Sequence, residues 1–100
     1  MTDTGDYVAR MQARLDEWND RIEKLEAALV HQQATGRVGT DELLILVNNL
    51  RRQQSAVREA IQAMRAARDQ HRQQLEDEIS LKMDDMRDTL DKATGLLRPD

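Results

Sequence analysis

"MRAARDQHRQQLE", residues 64–76, decides the fold of this 100-residue chain. It contains neither Gly nor Pro, and most of its residues are good helix formers. Read straight through, it joins Asp41 to Thr94 into one helix about 80 Å long, at 1.5 Å per residue. Broken, it leaves two helices that can fold onto each other.

The apolar positions on either side make that choice matter. Downstream, Leu75, Ile79, Met83, Met86, Leu90, Ala93 and Leu97 form one seam. Its first two steps are both four residues, a stutter that locally unwinds a supercoil. Upstream there are two adjacent seams. One runs through Leu43, Val47, Leu50, Gln54, Val57, Ile61 and Met64, the other through Leu46, Gln53, Ala56, Ala60, Ala63 and Ala67. Side by side they make a stripe wide enough for two neighbours. The dense run Leu43, Leu44, Ile45, Leu46, Val47 therefore reads as part of a middle helix with a partner on each side.

One partner lies upstream. Val8, Met11, Leu15, Trp18, Ile22, Leu25 and Leu29 recur at spacings of three and four, a heptad seam with charged flanks. Thr4 or Asp6 can cap its start. "ATGRVGT" ends it, because Gly36 and Gly39 tolerate the positive φ of a helix-ending turn. Thr40 is the expected cap of the next helix, with Asp41 and Glu42 suiting its positive end. A first helix over 6–34, a turn over 35–40 and a second helix over 41–95 follow, as a single all-α domain.

Folding the hairpin at its glycines sets Leu25 near Leu50, Trp18 near Ala56 and Val57, and Leu15 near Ala60. Large residues then face small ones, as close packing prefers. The first helix reaches only about half the length of the second. The other partner must be a segment like 75–97 itself. Antiparallel pairing about Gln70 sets Leu43 against Leu97, Val47 against Ala93, Leu50 against Leu90, Val57 against Met83 and Ile61 against Ile79. It also brings a basic block (Arg51, Arg52, Arg58, Arg65, Arg68, Arg72) to an acidic one (Glu76, Asp77, Glu78, Asp84, Asp85, Asp88, Asp91).

Two structures satisfy this pairing. The chain bends near 68–73 and closes a three-helix bundle alone, or two straight chains cross antiparallel. The absence of a breaker favours the second. The expected fold is thus a long antiparallel hairpin, completed as a bundle by homodimerisation. Its expected interface is Leu43, Val47, Leu50, Val57, Ile61 and Met64 on one arm. His71, Leu75, Ile79, Met83, Met86, Leu90 and Leu97 supply the other.

The stretch "DYVARMQARLDEWNDRIEKLEAAL", residues 6–29, resembles the opening of a family of small bacterial coiled-coil proteins. Their Tyr-Val pair, Met, Leu-Asp-Glu-Trp-Asn and Lys-Leu-Glu-Ala run correspond to Tyr7, Val8, Met11, Leu15 to Asn19 and Lys24 to Ala27. The likeness thins toward the C-terminus. Where that family often has a small Ser-Gly breaker, this chain reads Arg68, Asp69, Gln70, His71, Arg72. The resemblance implies a coiled-coil fold and a loose association with stress; it implies no activity.

The residues themselves point away from chemistry. There is no Cys, so no thiolate ligand or nucleophile. His31 and His71 are the only histidines, and neither sits in a Glu-x-x-His pair. Apart from the Gly36–Gly39 turn no glycine loop precedes a helix, and no cofactor or metal is expected. His71 would come close to its copy at a crossing near Gln70, which offers a pH- or metal-sensitive contact; a plain polar contact is the simpler use. Gln54, on an apolar seam, is either a register-setting buried amide or exposed at an irregular crossing. Trp18 reads as packing, and Met64, Met83 and Met86 as core filling.

The net charge of −4 gives no general attraction to nucleic acid, and no aromatic residue interleaves the arginines. No stretch approaches the roughly 18 apolar residues of a membrane span. The acidic N-terminus is not that of a secretory signal, so a cytoplasmic protein is expected. The expected role is a non-catalytic coiled-coil scaffold or protein–protein interaction protein, acting as a homodimer. The alternative is an amphipathic helix on a lipid surface; the acidic polar face of 75–97 opposes it.

Overall fold

The computed structural model describes residues 4–97. It contains three α-helices: α1 (Thr4–Thr35), α2 (Thr40–Ala66) and α3 (Asp69–Leu96). They lie side by side in a rod of 52 × 19 × 17 Å. Each helix packs on both others.

This corrects the expected two-helix hairpin. The second helix does not run on through 64–76. It stops at Ala66, and α3 starts at Asp69 after two intervening residues. Ala67 (φ −78°, ψ 149°) and Arg68 (φ −74°, ψ 155°) are extended and form the elbow. Neither angle needs a glycine, so the elbow leaves no mark in the composition. The Ala67 N–H donates to the Met64 carbonyl at 3.2 Å, and the His71 N–H to the Arg68 carbonyl at 2.9 Å.

Energetics explain why the elbow wins over helix propensity. Straightening would add a few backbone hydrogen bonds, each with a net value of about 0.5–1.5 kcal/mol. Bending buries Ile79, Met83, Met86, Leu90 and Ala93 of α3 within the same chain. A fully buried side chain of Leu or Met size stabilises by about 1.5–3 kcal/mol. The bare edge that called for a second chain is covered by the chain's own α2 and α1. The crossed dimer is therefore not how the bundle is completed.

The first link is as short. The Arg37 N–H donates to the Gln32 carbonyl at 3.1 Å, with Gly36 left-handed at φ 67°, which closes α1 in a Schellman arrangement. Gly39 (φ 90°) is the N-cap of α2. Thr40, expected as that cap, is instead the first helical residue, and its Oγ1 donates to the Arg37 carbonyl at 2.6 Å.

One continuous core runs the length of the rod. α1 contributes Tyr7, Val8, Met11, Leu15, Ile22, Leu25 and Leu29, and α2 contributes Leu43, Val47, Leu50, Val57, Ala60, Ile61 and Met64. The stripe of α2 serves two neighbours, as its width requires. Trp18 is half-buried and packs on this core.

The ion pairs do not fall where the charge blocks suggest. Among the described residues no arginine of α2 pairs with an acid of α3. The pairs between helices both involve α1: Arg51 with Glu26, and Arg21 with Asp91 at 3.5 Å.

Candidate functional site

The residues expected to face a second chain lie mostly inside this one. Leu43, Val47, Leu50, Val57, Ile61, Met64, Ile79, Met83, Met86 and Leu90 are buried in the core, and Leu75 and Leu97 are half-buried against it. His71 is exposed in the first turn of α3, and His31 is exposed in the last turns of α1, at the other end of the rod. The structure does not bring the two histidines together. Among the described residues no cluster of His, Cys, Asp and Glu is placed to hold a metal ion.

What the structure assembles instead is a polar crossing between α1 and α2. Gln54 is buried on the core side of α2. Its Nε2 donates to Asn19 Oδ1 at 2.8 Å. Arg51 Nη1 donates to the same Asn19 oxygen and to Gln54 Oε1, both at 2.9 Å. Arg51 Nε reaches Glu26 Oε2 at 3.1 Å, and its Nη2 reaches the other carboxylate oxygen of Glu26. The guanidinium and carboxylate thus meet as two parallel bonds, the arrangement Arg favours. This bonding with Glu26 pushes the Arg51 pKa above its ordinary value, against a smaller opposing effect of burial. The network's members bond one another within the chain.

Beyond this crossing the α1–α2 groove opens. A cavity of about 390 Å³ is lined by Gln12, Leu15, Asp16, Arg58, Ile61 and Gln62. Its floor residues, Leu15 and Ile61, are almost fully buried. Asp16 and Arg58, on opposite walls, do not reach each other within ion-pair distance, and neither side chain forms a hydrogen bond among the described residues. A smaller cavity of about 150 Å³ lies between α2 and α3, lined by Gln53, Ala56, Lys82 and Asp85. Neither holds a nucleophile beside a base, the arrangement covalent catalysis requires.

In the other direction the same groove ends in exposed apolar side chains. Val30 is 66% exposed, Val38 96%, Ile45 61% and Leu44 36%. They flank the α1–α2 link. The register fixed by Glu26–Arg51 and Asn19–Gln54 puts Val30 level with the first turns of α2, where Leu44 and Ile45 lie. Leu81, 66% exposed on α3, stands apart from this group.

Sequence reasoning placed Gln54 on a seam but found neither Asn19 nor Arg51 as its partners. Nor did it separate Leu44 and Ile45, which face outward, from Leu43 and Val47, which face the core. The signal was the spacing: Leu43, Val47 and Leu50 share one side of a 3.6-residue period, and Ile45 falls opposite.

No helix among the described residues is long and apolar enough to cross a membrane. Comparison of the chain with protein-family models, with curated proteins and with solved structures finds no match.

Proposed function

We propose that this chain is a non-catalytic helical module for protein–protein interaction. One observation carries the reading. Four of the five large apolar side chains most exposed in the structure, Val30, Val38, Leu44 and Ile45, gather around the α1–α2 link. Exposed apolar clusters of this kind mark contact sites far more often than scattered single residues do. The rigid rod beneath them supports the reading, because a preformed surface loses little entropy on docking. The resemblance of the opening helix adds a stress-associated setting. A lipid-surface role would use the apolar edge of α3, and that edge is occupied by the core.

The test is site-specific photo-crosslinking in cells. A photoreactive residue at Val38 or Ile45 is expected to form protein adducts, whereas one at Leu81 is not. Equal labelling at all three, or adducts at none, would overturn the reading.

A further inference from the structure

The outward stripes of α1 and α2 carry a pattern that the single chain does not use. α1 presents Asp16, Glu23 and Val30 at intervals of seven residues. α2 presents Leu44, Arg51 and Arg58 at the same interval, while Ile45 and Arg52 lie about 100° further round, on the side away from the core. A seven-residue step drifts only about 20° around a helix, so each set shares one side of its own helix. In the antiparallel register of the crossing, Asp16 is level with Arg58, Glu23 with Arg51 and Arg52, and Val30 with Leu44 and Ile45. One stripe is acidic with an apolar end; the other is basic with an apolar end.

Only part of that charge is satisfied internally. Arg51 is held by Glu26 and Asn19. Glu23 accepts one bond from Asn19, at 3.2 Å. Asp16, Arg52 and Arg58 are in no ion pair or side-chain hydrogen bond among the described residues.

We propose that the α1–α2 face docks a second copy of this chain about a two-fold axis parallel to the rods. Rotation about such an axis lays α1 of one copy on α2 of the other at the same level. Asp16 then meets Arg58 of the second copy and Val30 closes on Leu44, with Arg52 and Ile45 at the outer edge of the contact. By symmetry every contact occurs twice, as an isologous interface requires. The opposite face-to-face arrangement, with an axis across the rods, stacks α1 on α1 and sets Glu23 close to Glu23. The charge pattern selects the first arrangement over the second. The rod's 52 × 19 Å side is large enough for the roughly 800 Å² per partner of an ordinary interface.

This dimer leaves each three-helix chain intact and uses a face remote from the elbow, unlike the crossing of two straight helices. It rests on the reading of the chain as an interaction module, and names its partner.

Sedimentation equilibrium of the full chain across a concentration series tests it, with circular dichroism confirming that each variant stays folded. The wild type is expected to pass from 11.5 kDa to twice that mass, less readily at high salt. Asp16→Arg and Arg58→Asp, each replacing two attractions by two repulsions, are expected to weaken association at least about tenfold. Combined, they recreate the pairs with signs exchanged and are expected to restore it to within about threefold. Leu44→Asp is expected to abolish it. A single-chain mass at every concentration, or single reversals that leave the dimer unchanged, overturns the proposal. A monomer that still crosslinks to other proteins through Val38 overturns the dimer while leaving the interaction module standing.

Discussion

The hydroxyls of Tyr7 and Ser80 lie 3.1 Å apart although the residues are 73 positions apart in the chain. Tyr7 also donates to the Glu76 carbonyl at 3.1 Å, so the Ser80 hydroxyl supplies the proton of the other bond. The pair fastens the start of α1 to the third and fourth turns of α3. It exists only because the chain turns back at Ala67 and Arg68. Tyr7→Phe keeps the buried ring and removes this tie, and is expected to destabilise by about 0.5–1.5 kcal/mol. Urea denaturation measures it. Ser80→Ala added to Tyr7→Phe is expected to cost less than it does alone. Full additivity of the two would mean that the hydroxyls are not coupled.

Proline at position 68 tests the elbow directly. Arg68 already has a φ of −74°, and its N–H donates to no backbone carbonyl. The preceding Ala67 is extended, the conformation a following proline demands. Arg68→Pro is therefore expected to be neutral or to stabilise, by up to about 1 kcal/mol. In an uninterrupted helix the same change would cost about 3 kcal/mol or more. Ser55→Pro, inside α2, serves as the control for that loss. A thermal midpoint that falls sharply in Arg68→Pro would favour the straight helix.

The crossing at Gln54 predicts a coupling between two helices. Gln54→Ala leaves Asn19 and Arg51 each short of one partner, and is expected to destabilise by about 1–3 kcal/mol. Asn19→Ala has a similar expected effect. In the double mutant the losses are expected to fall short of additivity by about 0.5–1.5 kcal/mol, because the shared bond is lost once. Chemical denaturation of the four-member cycle gives the value. A coupling of zero would show that the amides do not recognise each other.

Two leucines of α3 separate core from surface. Leu90 is fully buried and Leu81 is 66% exposed. Leu90→Ala is expected to cost about 2–5 kcal/mol, from lost burial and the cavity left behind. Leu81→Ala is expected to stay within about 0.5 kcal/mol of the wild type. Comparable losses at both would mean that α3 presents a different side to the core.

The seams were readable because they depend on period alone. Val8 to Leu29, Leu43 to Met64 and Ile79 to Ala93 all bury the side that their spacing selects. The width of the α2 stripe correctly demanded two neighbours. What the residues 64–76 could not reveal was the elbow. Ala and Arg are good helix formers, and they adopt an extended backbone with no special chemistry. The bend is imposed by the apolar edge of α3 finding its groove within the same chain. Local propensity is a weak prior against burial of that size. The ion pairs were misread for a related reason. Blocks of charge give an average sign, whereas Arg51 turns toward α1 because Gln54 and Asn19 fix its side chain there.

Both links are very short, and they lie at opposite ends of the rod. Each helix therefore meets its sequence neighbour by closing a small loop, and contacts of that kind form quickly. During synthesis α1 and α2 can zip together as soon as both have emerged. The second stripe of α2, with Val57 and Met64 beside it, then stays bare until α3 has emerged as well. In that interval the nascent hairpin is at its stickiest, and the elbow is what ends the exposure.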